Sequence, residues 1–256
     1  MSSVAAVTTS VETSNLTAKP VLEIGRAWMA SPGTARRGSE LGFEPGFDFW
    51  VNGRAGALGD VSAQVAAAAI GFMAPDLVVA AWNRRPNSLS AIGAAHGYRD
   101  AAIGWGQSAL APMDTQTVER MAGLVQRVLG AALPICGVLF AGWRELPVGS
   151  NDPRAQAIIG LQVLREMRGG AHLSAVQAAG LTPHDAIVSF TADQVRGGVS
   201  GAERFGWKGP HREPDEKRRS VAEQMTTSIC APAFEALDAT ERSELIDLIT
   251  QARELI

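Results

Sequence analysis

Asn151–Phe190, NDPRAQAIIGLQVLREMRGGAHLSAVQAAGLTPHDAIVSF, is the stretch whose reading decides the fold. Asp152-Pro153 is an N-cap followed by proline at the first helical position. It predicts a helix running to about Met167, where Gly169-Gly170 stops it. A short helix, Leu173–Ala179, follows and is closed by Gly180. Thr182-Pro183-His184-Asp185 is a capping box with proline at its first helical position, so a third helix starts there and runs to Val195. The order helix, tight turn, helix is that of a helix-turn-helix over residues 171–195. In a DNA reader the second helix sets its N-terminal side chains on base edges. Here the polar side chains of that helix are His184, Asp185, Ser189, Thr191, Asp193 and Gln194, with no Lys or Arg before Arg196. Counterion release normally supplies much of DNA affinity, and this helix offers little charge for it. Lys208, His211, Arg212, Lys217, Arg218 and Arg219 follow, interleaved with Glu213, Asp215 and Glu216. The candidate DNA contacts are His184, Ser189, Arg196 and Arg218.

Outward from this stretch, the chain reads as helices throughout. Downstream, residues 197–215 are polar and turn-rich, and helices are predicted over 216–229 and 239–254, the last capped by Asp238-Ala-Thr-Glu241. Upstream, Asp114 opens a helix with the apolar stripe Val118, Met121, Leu124, Val125, Val128 and Leu129. Residues 87–110 are helical but interrupted by Gly93, Gly97, Gly104 and Gly106. Helices at 61–70 and 75–83 precede them. Residues 31–60 lack periodicity and read as a long loop carrying Phe43, Phe47, Phe49 and Trp50. Pro20–Ala30 forms a short helix with Val21, Ile24 and Trp28 on one side. Residues 1–18, rich in Ser, Thr, Val and Ala, read as a disordered leader. The fold class expected is all-α: a multi-helix bundle with a helix-turn-helix-like C-terminal half and a β-wing reduced or absent. A division near Gly149-Ser150 separates a helical unit, 19–149, from the helix-turn-helix-like region, 150–256.

The totals bound the function. The chain has 256 residues and a net charge of −3, so a globally basic footprint for nucleic acid is missing. Cys136 and Cys230 have no metal-ligand spacing and read as reduced thiols of a cytoplasmic protein. No basic n-region followed by an apolar run marks a secretory signal. The most apolar window, Val65–Trp82, is split by Pro75 and Asp76, which argues against a membrane span. No motif calls for a cofactor or a metal.

Four segments together carry a resemblance. LREMRGGAHLSAVQAAGL (Leu164–Leu181), FDFWVNGRAGALGDVSAQV (Phe47–Val65), GFMAPDLVVAAW (Gly71–Trp82) and ERSELIDLITQAREL (Glu241–Leu255) resemble blocks of an actinobacterial family of helix-turn-helix proteins without an established activity. The resemblance implies a C-terminal half similar to winged-helix regulators. The chain departs from the family pattern in two places. Ile159 and Met167 stand where the family has histidines, leaving only His172. The stretch after Gly206-Trp207 is short where the family carries a helix and a wing.

Three functions follow as expectations. The first is binding of a small, partly apolar molecule between the 43–58 loop and the helices after it, by Phe47, Phe49, Trp50, Asn52, Arg54 and Trp82. The second is a DNA-binding regulator, dimeric through its terminal helices. The third is an enzyme in which Glu166 sets the tautomer of a general base at His172. His96 and Tyr98, two apart, do not share a helix face and form no dyad.

Overall fold

The computed structural model describes residues 8–189 and 198–256. Among them the chain forms thirteen α-helices, three short 3₁₀ turns and no strand. The all-α expectation holds, and where a wing would stand residues 205–215 form an irregular segment.

The first helix, α1 (Ser10–Met29), corrects the disordered leader from Ser10 onward; residues 1–7 lie outside the described residues. In its polar N-terminal half Thr13, Ser14 and Thr17 are buried, each with its hydroxyl satisfied. Thr13 and Thr17 donate to the carbonyls four residues back at 2.8 and 2.7 Å, and Ser14 donates to Thr227 O at 3.0 Å. Hydroxyls paired in this way lose little on leaving water. Thr9 and Glu12 close a capping box at its start.

The expected loop 31–60 is instead two helices and a turn: α2 (Pro32–Glu40), α3 (Asp48–Ala55) and a 3₁₀ turn over Gly56–Leu58. Two of the glycines that suggest a loop, Gly53 and Gly56, are points of close approach, while Gly42, Gly46 and Gly59, with positive φ, mark the turns that remain. A Cβ on Gly53 would lie 2.3 Å from the Tyr98 ring, and one on Gly56 would lie 2.2 Å from the Ala91 carbonyl. Seven of the eight residues of α3 are buried, so no polar face exists to give it a period.

Next come α4 (Ala63–Ile70), α5 (Pro75–Asn83), α6 (Ala91–Ala109), α7 (Thr115–Ala131) and α8 (Val138–Glu145). The last three of these pack on α9 (Pro153–Ala178), which at 26 residues is about 39 Å long. Sequence signals divide α9 at Gly169-Gly170, yet it runs through them unbroken. Packing overrides propensity here: α9 is flanked by α1, α6, α7, α8 and α12 (Glu216–Cys230). Gly170 also lets the chain at Gly137 come close, with 3.7 Å from a Cβ built there to the Gly170 Cα. The core centres on Tyr98, with Trp28, Phe49 and Trp143 rings 4.6, 5.1 and 6.4 Å from its own.

The C-terminal part holds α10 (Pro183–Val188), α11 (Gly198–Arg204), α12 and α13 (Ala239–Glu254). The two terminal helices cover one another within the chain. Arg253 donates to Glu23 at 2.6 Å, and Arg242 donates to Thr8 O at 2.7 Å. No helix among the described residues is long and apolar enough to cross a membrane.

Two glycine substitutions test the packing with opposite signs. Gly56→Ala forces its methyl into a backbone carbonyl and is expected to destabilise by about 1–3 kcal/mol. Gly104→Ala, in an exposed turn of α6 with nothing within 4 Å of the new methyl, is expected to stabilise by about 0.5–1 kcal/mol. Denaturant midpoints read both; the same sign for the two would contradict the packing described.

Candidate nucleic-acid interface

The turn between α9 and α10 is built by local chemistry. Gly180 has φ +77°, Leu181 N–H donates to Val176 O at 3.0 Å, and Gly180 N–H donates to Gln177 O at 2.9 Å. This is a Schellman closure, which needs glycine at the left-handed position. Leu181 and Val176 pack together behind it with Ala186 and Ala222. Thr182 then caps α10: its hydroxyl accepts from Asp185 N–H at 3.1 Å, and its own N–H donates to Asp185 Oδ2 at 3.2 Å. Burial works to raise the Asp185 carboxyl, but the Thr182 bonds and the Arg212 guanidinium hold it below its ordinary value. Helix, turn and capped helix thus stand as the sequence predicts, although the first helix is the end of α9 and not a separate one.

The rest of α10 differs from a free reading helix. Asp185, Ala186, Ile187, Val188 and Ser189 are all buried, and only Pro183 and His184 reach partial exposure. The segment 205–215 straps the helix down. The Trp207 indole stacks parallel on His184 at 4.9 Å between ring centres and donates to Phe72 O at 3.0 Å. His184 Nε2 meets His211 Nδ1 at 2.8 Å. Burial, then the neighbouring His211, holds His184 below its usual pKa. Ser189 donates to Asp185 O at 2.7 Å and accepts from Asp215 N–H at 2.9 Å. Ile187 and Val188 pack under Phe72, Phe205 and Trp207.

Of the candidate DNA contacts, Ser189 is therefore interior and His184 is held between two rings. Arg196 and the expected continuation of the helix to Val195 lie outside the described residues. Arg218 reaches the turn itself. Its guanidinium donates to Gly180 O across the turn at 3.3 Å, while 57% of the side chain stays exposed. Arg212, at 3.4 Å from Asp185, is 76% exposed. Lys217 is exposed beside Arg218. In the sequence Arg212 and Arg218 belong to one mixed-charge stretch; that they reach Asp185 and Gly180 depends on long-range packing, with α12 against α9.

His172 and Glu166 do not form the expected pair. Six residues apart on one helix, they point about 120° apart around its axis. His172 Nδ1 lies 2.8 Å from the Thr226 hydroxyl, which itself donates to Ala222 O at 2.7 Å. The hydroxyl's one proton is used, so neutral His172 carries its hydrogen on Nδ1 and donates. Its ring stacks on Phe72, and its Nε2 is 3.8 Å from Glu223. Glu166 instead receives Arg54 in a bidentate pair at 2.9 and 2.7 Å, with Gln162 and Arg165 donating at 2.6 and 3.2 Å. Burial works against the Glu166 carboxylate, yet the Arg54 and Arg165 charges hold its pKa below the usual value.

The six candidate ligand contacts sit on α3, just before it, and on α5, and most of them pack inside the bundle. Asn52 is fully buried and donates to Asp48 O and Ala81 O at 3.0 and 2.9 Å. Arg54, over the Trp50 ring at 4.5 Å, is committed to Glu166. Phe49 packs on Phe43 and Tyr98, Phe47 on Trp50 and Phe205, and Trp82 lies under Arg85. They line no loop, because the loop is helical.

Among the described residues no group of three or more His, Cys, Asp or Glu could hold a metal ion. Neither the curated proteins nor the solved structures contain a match to this chain. The profile of one family, described as a helix-turn-helix family, matches residues 17–218, from α1 to the start of α12. That span covers most of the chain and contains the whole turn described above, so the protein belongs to this helix-turn-helix family.

Proposed function

We propose that the protein binds DNA through the face formed by the 179–182 turn and the basic side chains Arg212, Lys217 and Arg218, and acts as a regulator by doing so. Membership of the helix-turn-helix family supports the reading. The observation that carries it is Arg218, which donates to Gly180 O across the turn and pairs with Asp215 at 3.4 Å while 57% of its side chain stays exposed. Residues 204–219 hold six Lys and Arg against three acids, a basic stretch in a chain of net charge −3. With α10 buried from Asp185 to Ser189, few side chains reach base edges, so binding is dominated by phosphate contacts and discriminates weakly between sequences.

The double variant Arg212→Ala/Arg218→Ala tests the reading. Removing one phosphate-binding side chain is expected to reduce the salt slope of duplex binding by about 1, so the double variant should show a slope smaller by about 2. Both side chains are largely exposed, and the unfolding midpoint serves as a control for the fold. A variant that binds duplex with the affinity and salt slope of the wild type removes this face from the interface.

A further inference from the structure

A groove of about 530 Å³ lies between α2 and α6, on elements that take no part in the turn. Ligand sites commonly fall between about 300 and 1,000 Å³ and combine apolar walls with a few polar anchors. Trp105 provides one wall; part of it packs on the core and the rest lines the groove. Beside it, Gly104 leaves the backbone of α6 bare, with no atom within 4 Å of where a Cβ would stand. A flat ring can therefore approach the helix closely next to an indole. The charges are unevenly spent. Glu40 accepts from Arg37 at 3.2 Å, and Asp100 is held by Arg37 at 3.6 Å and by Arg99 at 2.7 Å. Both acids are thus neutralised, and Arg36 makes no ion pair or side-chain hydrogen bond among the described residues. With Arg99 counted on Asp100, Arg36 is left, among the described residues, as the one uncompensated charge of a groove that also has an aromatic wall.

We propose that this groove binds a small planar aromatic carboxylate, its ring lying along Trp105 and Gly104 and its carboxylate on Arg36. A cationic ligand finds no free acid there, and an inorganic anion leaves the aromatic wall unused. The proposal is independent of the DNA-binding reading, because duplex affinity does not enter its test.

The test is calorimetric titration of the full chain with naphthoate, and with naphthalenemethanol as the uncharged counterpart. Naphthoate is expected to bind one site with Kd below about 1 mM. A charge-assisted hydrogen bond typically corresponds to at least about a tenfold change in affinity, so the alcohol should bind about tenfold more weakly. Arg36→Ala should weaken naphthoate by a similar factor, and Gly104→Leu, which fills the floor, should abolish its binding. Both positions are exposed, and Arg36→Gln supplies a second charge-removing variant if either of the others fails to fold. No binding of naphthoate, equal binding of the alcohol, or unchanged affinity in a folded variant at either position overturns the proposal.

Discussion

Replacing Glu166 by alanine is expected to lower the unfolding free energy by about 3–5 kcal/mol, the loss typical of removing one partner from a buried ion pair. The reason lies in what stays behind. Glu166 is 1% exposed, and Arg54, its bidentate partner, is 7% exposed. Arg165 sits on the same carboxylate, and burial together with the Arg54 charge already pushes its pKa down to about 10. Two cations thus share one anion in the interior. Without that anion both must remain charged in a medium that solvates them poorly, or the site must open. Gln162, which donates to the same carboxylate oxygen, also loses its acceptor. Glu166→Gln keeps the shape but not the charge and should cost nearly as much. Urea denaturation at neutral pH measures both; a loss under about 1 kcal/mol would mean that the pair contributes no more than a surface ion pair does.

Acidification should destabilise the protein through His172, by about 3 kcal/mol between pH 6.5 and 4. Burial lowers the pKa of this ring from 6.5 to about 4; the Glu223 charge works the other way, and Arg168 and Arg219 add to the lowering. In the unfolded chain His172 takes up its proton as the pH falls past 6.5, while the folded chain resists until about 4. Across that window the unfolded state binds more protons, so stability falls as the pH falls and levels off below about 4. Glu223 acts in the same direction. Burial works to raise its carboxyl, but His172, Arg168 and Arg219 hold it below the ordinary value, and its contribution fades as the pH drops through that lowered pKa. Replacing His172 by alanine leaves a gap beside Phe72 and weakens the protein at neutral pH, yet it should flatten the decline between pH 7 and 4. Parallel wild-type and His172→Ala curves of unfolding free energy against pH would show that His172 does not set the slope.

Local signals are legible in the sequence; long-range ones are not. Caps follow from a few adjacent residues, so Asp114, Asp152, Thr182 and Asp238 mark the starts of α7, α9, α10 and α13. The stripe of α7 is equally plain, because one of its faces meets solvent. Elements buried on several sides are harder to read. In α3 the aromatic and glycine residues resemble a loop, since burial all round erases the amphipathic period. In α9 the pair Gly169-Gly170 resembles a stop, because the neighbours that hold the helix straight come from distant segments. The site shows the same division. The Gly180 turn and the Thr182 cap are local and stand where the sequence places them. The partners of Glu166 and His172 are not local: Arg54 lies 112 residues from Glu166, and Thr226 lies 54 residues from His172. Nor can spacing reveal that Trp207 and His211 close over His184.

The measurement that bears most directly on function is the affinity of the whole protein for duplex DNA at about 50 and about 200 mM salt, read by fluorescence anisotropy. Contacts from Arg212, Lys217 and Arg218 to three phosphates give a slope near −3, so affinity should fall roughly fortyfold between the two salts. Binding that is absent at the lower salt, or indifferent to the change, would contradict a phosphate-contacting helix-turn-helix face.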